Sequence, residues 1–405
     1  MALFTRREWA LSAAALASAS AASSKYVVVG AGVFGAWTAY HLRRAGHDVT
    51  LLDQYGPANA RASSGGESRI IRCSYGPDEL YTRMALRSLT LWPEFFQRAG
   101  VHLLHRTGVL WMAKPGNRYV DQSRESLRKT NVKFQDLSPS DLKTRYPQMH
   151  LDPDAIAIFE PESGALMARQ AVAAVVEQFV RDGGAYRLAR VATPAEAGHL
   201  REIRTADGVA FTADAFVFAC GPWLGRVFPE VLGKRVFPTR QEVVFFGIPP
   251  GDRRFEPEQM PVWIDFSDDR GMYGFPDLER RGFKVAFDLH GPPFDPDTGN
   301  RIVTPDRVRE ARRYVQERFP ALASMPVVDS RVCQYENTSN GDFVIDRHPA
   351  LENVWLVGGG SGHGFKHGPA VGEYAAARVT GAAAPALEPR FSLASKGTRQ
   401  SRTVY

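Results

Sequence analysis

Three glycines near the start of the chain have the spacing of a turn that binds a dinucleotide. Gly30, Gly32 and Gly35 directly follow the apolar run 25–29 and precede a pattern of apolar residues typical of a helix. In such a motif the first glycine makes a tight turn, the second lets the backbone approach a pyrophosphate, and the third lets helix and strand pack closely. Asp53 ends a second apolar strand and is spaced to hydrogen-bond the adenosine ribose. An acid there disfavours NADP, so NAD and FAD both remain open.

A polar segment between residues 63 and 72 places two arginines near this turn. It begins with Ser63 and Ser64 and contains Arg69 and Arg72. A domain that binds a nicotinamide dinucleotide would begin another crossover helix here, whereas this segment is typical of a glycine-bearing loop. The difference favours FAD.

A second glycine-rich loop lies near the end of the chain. The apolar run 353–357 leads into a loop with Gly362, His363, Gly364 and Lys366, and a helix pattern follows. Because a helix N-terminus presents free amide groups and a positive dipole, it could stabilise the negative charge of a reduced flavin. His363 has no carboxylate or cysteine partner at metal-ligand spacing, so the sequence predicts no metal site.

The positions of these clusters predict the organisation of the chain. Glycine loops lie near both ends, so an α/β fold is expected in which the FAD-binding, Rossmann-like domain is discontinuous. The intervening segments contain strand-like runs and turn-rich stretches, which predict a second, mostly antiparallel β-sheet domain for the substrate. The predicted boundaries are 25–105, 165–238 and 340–385 for the FAD domain, 106–164 and 239–339 for the substrate domain, and 386–405 for a polar tail.

The composition excludes several classes of protein. The chain has 405 residues, 44% hydrophobic and 23% charged, which is ordinary globular usage and excludes disorder, coiled coil and collagen-like repeats. There is no apolar run of about 18 residues, so no membrane span is expected. The net charge of +6 is spread along the chain and argues weakly for small anionic ligands and against nucleic acid. Three cysteines are too few and too distant for a disulfide framework.

Residues 1–24 have the features of an export signal. Arg6 and Arg7 precede a weakly apolar Ala/Ser-rich stretch with small residues suited to cleavage near residues 19–22. The segment is similar to a twin-arginine translocation signal, a route for folded proteins that suits a chain which must first bind a bulky cofactor. The sequence therefore predicts an exported protein; the alternative is a cytoplasmic protein with a disordered or helical tail.

Five motifs in a fixed order resemble one enzyme family. They are Gly30-x-Gly32-x-x-Gly35, Arg69-Ile70-Ile71-Arg72, Cys333-x-Tyr335, Phe343-Val344-Ile345-Asp346-x-x-Pro349 and Gly362-His363-Gly364-Phe365-Lys366. Together they are similar to the monomeric sarcosine oxidase and N-methyltryptophan oxidase family, which are FAD-dependent amine oxidases of the D-amino-acid oxidase fold group. The likeness extends over residues 25–385, and its last motif is the most specific.

The resemblance implies roles for several residues. Family members attach FAD through its flavin 8-methyl carbon to a cysteine, which implies a covalent bond to Cys333. The arginine and lysine that bind the substrate carboxylate correspond to Arg72 and Lys366. An arginine over the flavin corresponds to Arg69, and a lysine implicated in oxygen activation to Lys284. Such cations would disfavour the protonated amine, whose nitrogen needs a free lone pair for oxidation, and would stabilise anionic reduced flavin and superoxide.

Two positions depart from the family pattern. Sarcosine oxidases have an active-site histidine where this sequence has Asp288, and two histidines where it has Ser64-Gly65. Asp288 either faces the pocket, where it could favour a substrate with a donor-bearing side chain, or points to solvent. Tyr273 and Tyr335 are candidate pocket walls. The departures leave the cofactor assignment intact and the identity of the substrate open.

The expected activity is oxidation of a secondary, N-methylated amino acid to an imine. Hydrolysis then gives an amine and an aldehyde, and oxygen accepts the electrons as hydrogen peroxide. The enzyme is expected to be a monomer. The alternatives are an oxidase or dehydrogenase of a cyclic or primary amino acid and, in a different class, a flavin-binding protein without turnover. A carboxylate clamp argues against the last, because mere flavin binding does not need one.

Overall fold

The structure is a computed structural model that describes residues 23–194, 197–381 and 385–400. The predicted export signal at residues 1–24 lies outside these ranges except for its last two residues, so it stays a prediction. None of the helices in these ranges has both the length and the apolar character needed to cross a membrane.

Strands supply most of the framework. In chain order they are β1 Lys25–Val29, β2 Asp48–Asp53, β3 Ser68–Ile71, β4 Leu104–His105, β5 Val109–Ala113, β6 Gln135–Leu137, β7 Ile156–Glu160, β8 Gly164–Met167, β9 Ala185–Leu188, β10 Glu202–Arg204, β11 Ala210–Thr212, β12 Ala215–Phe218, β13 Val236–Phe246, β14 Val262–Asp265, β15 Met272–Phe275, β16 Phe283–Phe287, β17 Val327–Thr338, β18 Val344–Arg347 and β19 Val354–Gly358.

Helices pack on the faces of these strands. In chain order they are α1 Val33–Arg44, α2 Glu79–Ala99, α3 Arg118–Lys129, α4 Pro139–Arg145, α5 Ala168–Arg181, α6 Leu224–Val227, α7 Pro229–Leu232, α8 Pro305–Arg318 and α9 Gly368–Thr380.

The first large sheet has the doubly wound arrangement expected of a nucleotide-binding domain. Its order is β18-β19-β12-β1-β2-β9, and all its neighbours are parallel except the edge strand β18. β1 and β12 are almost wholly buried because helices and loops cover both faces, and parallel strands so covered consist of continuous apolar residues. All six strands lie within the three segments predicted for the FAD domain, so distant parts of the chain meet in one sheet.

The second large sheet is mixed and mostly antiparallel. Its order is β17-β13-β16-β15-β14-β5-β7-β6, and only β14 and β5 pair in parallel. A separate apolar core beneath it includes Trp263, Phe283 and Tyr314, the last contributed by α8. β13 begins at Val236, before the predicted boundary at 239, because it pairs along its length with β17.

A small antiparallel sheet of β3, β8 and β4 corrects one expectation. The segment 63–72 was predicted as a loop throughout, but Arg69 lies in β3, and Arg72 directly follows that strand. β3 pairs with β8, a strand more than ninety residues later in the chain, and short-range patterns do not reveal such a partner.

The C-terminal segment corrects another expectation. Residues 386–405 were predicted as a polar tail, but in the described part of that segment Phe391 and Leu393 are buried. The guanidinium group of Arg390 pairs with Asp78 and Asp342, which ties the segment to the FAD domain. A few apolar residues are therefore enough to hold a mostly polar segment against a complementary surface of the folded protein.

Candidate active site

A cavity of about 430 Å³ opens where β1, β12 and β19 end, the place where doubly wound sheets bind ligands. Most of the predicted cofactor-binding residues line it: Gly30, Gly32, Asp53, Ser63, Ser64, Arg69, Gly362 and Gly364. Tyr335 also lines it. Gly35, Cys333, His363 and Lys366 lie outside its wall.

The three glycines of the first turn have the geometries that the motif requires. Gly30 has a φ of +108°, which disfavours a side chain. A Cβ at Gly35 would lie 1.8 Å from the Gly30 carbonyl oxygen, so helix and strand could not pack with any other residue. A Cβ at Gly32 would meet only Ser64 Oγ, at 3.6 Å. The backbone at Gly32 is therefore open to a ligand.

Asp53 does more than its spacing predicts. Its Oδ2 accepts the backbone N–H of Ala31 at 2.8 Å, and its Oδ1 accepts those of Tyr55 and Gly56 at 2.8 and 2.9 Å. Burial raises the pKa of Asp53, and these three hydrogen bonds lower it. The carboxylate thus orders the turns after β1 and β2 as well as lining the cavity.

The residues of this cavity fit a large polar cofactor. Three of its buried side-chain atoms, Ser63 Oγ, Gln334 Oε1 and Glu336 Oε1, have no hydrogen-bond partner among the described residues. Buried polar atoms without partners are costly, so they indicate that a ligand supplies the missing bonds. Together with the open backbone at Gly32, they make the cavity suitable for FAD.

A second cavity, of about 70 Å³, adjoins the first and shares Arg69 and Tyr335 with it. It brings together the predicted substrate-site residues Arg69, Arg72, Tyr273, Asp288, Tyr335 and Lys366, and His363, which was predicted to bind the cofactor, also lines it. Its other walls are mostly apolar and include Trp111, Ile264 and Phe266. A pocket with an apolar wall and a few converging polar groups is typical of a small-molecule site.

Arg72 is held rigidly at this second cavity. Its guanidinium carbon lies 4.0 Å from the ring centre of Tyr75 and 4.9 Å from that of Trp111, and it donates to the Ser74 carbonyl oxygen. Two aromatic faces leave the planar cation little freedom. The site is therefore preorganised for a planar anion such as a carboxylate.

Lys366 is the second cation of the pair. Its Nζ donates to the His363 carbonyl oxygen at 2.8 Å. Burial and the nearby charge of Arg72 hold the pKa of Lys366 well below its usual value, and Asp288 opposes this shift. A carboxylate that enters the cavity would favour the ammonium form and so bind tightly.

Asp288 faces this cavity rather than solvent. Its Oδ1 accepts a hydrogen bond from the Tyr335 hydroxyl at 3.4 Å. Its charge also acts on both Arg72 and Lys366. The structure thus decides between the two orientations that the sequence left open.

His363 faces away from the first cavity. Its Nδ1 lies 3.1 Å from the Tyr75 hydroxyl, and its Nε2 lies 2.9 Å from the Gly341 carbonyl oxygen. His367 shares the Tyr75 hydroxyl at 2.6 Å. His363 was predicted to bind the cofactor, but its side chain packs the glycine loop against α2 and the turn before it.

Arg69 lies between the two cavities and next to Cys333. Its Nη2 lies 2.7 Å from the Ser63 carbonyl oxygen and 3.1 Å from the Cys333 Sγ. Cys333 itself is half-buried on β17, and all three cysteines of the chain are free.

Lys284 lies outside both cavities. It was expected to be exposed unless functional, but it is 3% exposed on β16. Its Nζ lies 3.2 Å from both the carbonyl oxygen and the Oγ of Ser68, and 4.4 Å from the ring centre of Phe275, which also lines the second cavity. Burial lowers the pKa of Lys284 to about 7, and Arg69 adds to this effect.

Glu160 is a residue of this site that the sequence reasoning missed. It is 1% exposed, and its carboxylate accepts five hydrogen bonds. The donors are the N–H groups of Cys73 and Ser74, the hydroxyls of Ser74 and Ser163, and the indole N–H of Trp111. These contacts fix the position of Cys73 and Ser74, which follow Arg72. They also fix the Trp111 ring, one of the two rings that pack against the Arg72 guanidinium. Glu160 ends β7, and nothing near it in sequence points to Arg72.

We expect Glu160→Gln to lower the free energy of unfolding by about 1–3 kcal/mol. A glutamine has only one acceptor oxygen, and its amide group would face buried donors, so at least one donor loses its partner. Urea unfolding measures the change. Glu162→Gln is the matched control, because Glu162 is 56% exposed on the next turn and pairs with Lys133 only at 4.0 Å. Equal losses in the two variants would contradict this role.

The family of the chain follows from comparison with known proteins. The DAO family model, described as FAD dependent oxidoreductase, matches residues 25–378. The chain belongs to this family, and it is an FAD-dependent oxidoreductase. The monomeric sarcosine oxidase of Bacillus sp. (strain NS-129) is 30% identical to it over 87% of this chain and 92% of that protein.

Two further comparisons agree on the family and the fold. The N-methyl-L-tryptophan oxidase of Yersinia pestis (strain Pestoides F) is 27% identical over 91% of this chain and 98% of that protein. The crystal structure of L-proline dehydrogenase from P. horikoshii superposes with a TM-score of 0.80 at 21% identity, covering 92% of this chain and 97% of that one. The α/β fold predicted from the sequence is confirmed.

Proposed function

We propose that this enzyme oxidises a secondary, N-methylated amino acid, with oxygen as the electron acceptor. The observation that carries the proposal is the second cavity, where Arg72 and Lys366 converge at a pocket that opens on the proposed flavin site through Arg69 and Tyr335. Relatives named for the oxidation of sarcosine and N-methyl-L-tryptophan support it.

The residues of the two cavities divide the work between them. FAD, when bound, would supply a two-electron acceptor. Arg72 and Lys366 bind the substrate carboxylate and so fix the position of the neighbouring carbon and nitrogen. The cations disfavour the ammonium form of the substrate, which keeps the nitrogen lone pair available. The apolar walls exclude water from the reacting bond.

Anaerobic mixing with a panel of amino acids tests the proposal. N-methyl amino acids should bleach the flavin absorbance, and air should restore it with release of hydrogen peroxide. Faster bleaching by proline, pipecolate or a primary amino acid would support the alternative substrates instead. If no member of the panel bleaches the flavin, the enzyme function proposed here is wrong.

Asp288→Asn should change the selectivity of the enzyme among N-methyl amino acids. Because Asp288 faces the cavity beside Tyr335, its carboxylate favours a substrate whose side chain carries a hydrogen-bond donor. Loss of that charge-assisted bond costs about 1.5–3 kcal/mol, or roughly 10- to 150-fold in kcat/KM for such a substrate. The test compares kcat/KM for sarcosine and for larger N-methyl amino acids in the wild type and in Asp288→Asn. Identical selectivity in both proteins would remove Asp288 from substrate recognition.

We expect FAD to be bonded covalently to Cys333. The expectation rests on the family resemblance and on the position of Cys333, whose Sγ lies 3.1 Å from the Nη2 of Arg69, a residue that lines the first cavity. Acid-precipitated wild-type protein should stay yellow, whereas Cys333→Ala should release its flavin into the supernatant. Cys220→Ala is the control, because Cys220 is a second half-buried cysteine that lines the first cavity at the end of β12, where its Sγ contacts the Val29 carbonyl oxygen. Complete release of flavin by the wild type would overturn the prediction.

We also propose export through a twin-arginine route and a monomeric state. Both rest on the sequence, the first on Arg6, Arg7 and the Ala/Ser-rich stretch that follows them. Fractionation of the native cells should find a shortened chain outside the cytoplasm, and a full-length cytoplasmic protein would refute export. Sedimentation of the purified enzyme tests the monomer.

A further inference from the structure

Glu336 is a buried acid at the first cavity for which no motif accounts. It lies on β17, is 6% exposed and lines the cavity. Its Oε1 has no hydrogen-bond partner among the described residues. A Cβ at Gly358 would approach this oxygen to 2.5 Å, so the carboxyl group lies directly against the end of β19. The backbone there leaves room for the acid only because residue 358 is glycine.

The surroundings of Glu336 disfavour its ionised form. Burial raises the pKa of Glu336 to about 7, and the backbone N–H groups of Gly359 and Gly360 offset only part of this effect. The charged residues that line the same cavity are Asp53, Arg69, Arg190, Arg226 and Asp297. The neutral titratable residues that line it are Tyr55, Cys220 and Tyr335. Burial raises the pKa of Cys220, and the charges of Asp53 and then Glu336 raise it further, so Cys220 lies near Glu336.

A bound dinucleotide would strengthen the preference for the neutral acid. The pyrophosphate of FAD is negatively charged, and Gly32 and the N-terminus of α1 would hold it in the cavity that Glu336 lines. The pyrophosphate would repel a carboxylate there, and the Glu336 Oε1 would still have no hydrogen-bond partner among the described residues. A carboxylic acid instead carries a proton that can be donated to an acceptor of the cofactor, which satisfies the isolated group.

We propose that Glu336 binds FAD as a neutral carboxylic acid that donates a hydrogen bond to the cofactor, and that this bond makes FAD affinity depend on pH. FAD binds the protein in which Glu336 is protonated. The affinity for FAD is therefore highest below the pKa of Glu336 in the free protein, and it falls as the pH rises above that value. Binding of FAD raises the pKa of Glu336 further, because the complex is more stable when Glu336 is protonated. Above about pH 7 the affinity should therefore fall by up to about tenfold per pH unit, until the bound acid itself ionises.

Titration of apoprotein with FAD between pH 6 and 9 tests the proposal. Cys333→Ala protein is used, so that no covalent bond obscures the equilibrium, and quenching of flavin fluorescence reports binding. We expect the dissociation constant of Cys333→Ala to rise at least about tenfold between pH 7 and 9. Adding Glu336→Gln should abolish this rise and keep the affinity near its low-pH value, because an amide donates a hydrogen bond at every pH. The same slope in both proteins would overturn the proposal.

Ser63→Ala, in the same Cys333→Ala background, is the matched control. Ser63 Oγ is also buried at this cavity without a partner among the described residues, but it does not titrate. Its loss should weaken FAD binding by the same factor at every pH and leave the slope unchanged. A slope that disappears in this variant too would mean that general damage to the cavity, and not Glu336, controls the pH dependence, and would overturn the proposal.

Proton uptake gives a measurement that needs no substitution at Glu336. Calorimetric titrations with FAD in buffers of different ionisation enthalpy give the number of protons taken up on binding. At pH 8 about one proton should be taken up per FAD, and at pH 6 almost none. Absence of uptake at pH 8 would overturn the proposal even if Glu336→Gln failed to fold. Neither experiment uses a substrate, so their outcomes are independent of the proposed amino-acid oxidation.

Discussion

Arg72→Met and Lys366→Met should each lower kcat/KM for an N-methyl amino acid by roughly 30- to 5,000-fold. Removing one partner of a charged pair in a buried site costs about 2–5 kcal/mol, and both cations lie at the small second cavity. The carboxylate of the substrate would then keep only one of the two cations of the clamp, while the Asp288 carboxylate remains in the same cavity. Steady-state kinetics with sarcosine or the best substrate of the panel measure the loss.

A decarboxylated amine provides the control for these two variants. It cannot use the clamp, so its slow turnover should be nearly the same in wild type, Arg72→Met and Lys366→Met. Arg72→Lys should recover only part of the activity, because an ammonium group cannot bind a carboxylate in two places or stack between the rings of Tyr75 and Trp111. Equal losses for the decarboxylated amine would mean that the variants damage the flavin site and would contradict the clamp.

Lys284→Met should slow reoxidation of the reduced enzyme by oxygen by at least about tenfold, or roughly 1.4 kcal/mol. The Lys284 ammonium is buried beside Ser68 and Phe275, next to the strand that carries Arg69. A positive charge there stabilises the negative charge that develops on oxygen. Reduction by the substrate should change less, because Lys284 does not line the substrate cavity. Stopped-flow measurement of the two half-reactions separates the effects.

The pH dependence of reoxidation provides a second test of Lys284. Burial lowers the pKa of Lys284 to about 7, so its ammonium form is complete below that value and is lost as the pH rises through it. Oxygen reactivity of the wild type should fall over the same range, and a neighbouring negative charge would move the midpoint upward. Lys284→Met should lose this dependence, and Lys284→Arg, which stays charged, should react at a rate independent of pH. If Lys284→Met keeps the pH dependence of the wild type, another group causes that dependence.

Local patterns in the sequence were enough to predict the nucleotide-binding turn. Gly30, Gly32 and Gly35 follow one another within a few residues, and their roles depend on backbone contacts between β1 and α1, which are neighbours in the chain. The same holds for the second glycine loop and α9. The α/β fold class followed from these two strand, loop and helix units.

The orientations of polar side chains could not be predicted in this way. Asp288 was left between two orientations, and Lys284 between an exposed and a functional position, because each is decided by strands that pair from distant parts of the chain. His363 was expected to bind the cofactor, but its ring contacts the Tyr75 hydroxyl, which lies 288 residues earlier in the chain, and the Gly341 carbonyl oxygen. The polar tail was misjudged because the burial of Phe391 depends on a surface built by other segments.

The sequence by itself determined the α/β fold class, the cofactor class and the charged residues available for catalysis, because short motifs with local interactions encode each of them. Only the tertiary structure decided which of these charges share a cavity. It also showed which buried groups support them, as Glu160 supports the segment after Arg72 and as Glu336 lines the cofactor cavity. Glu160 connects β7 with β5 and with the segment after β3, which lie far apart in the chain, and burial strengthens the hydrogen bonds that it accepts.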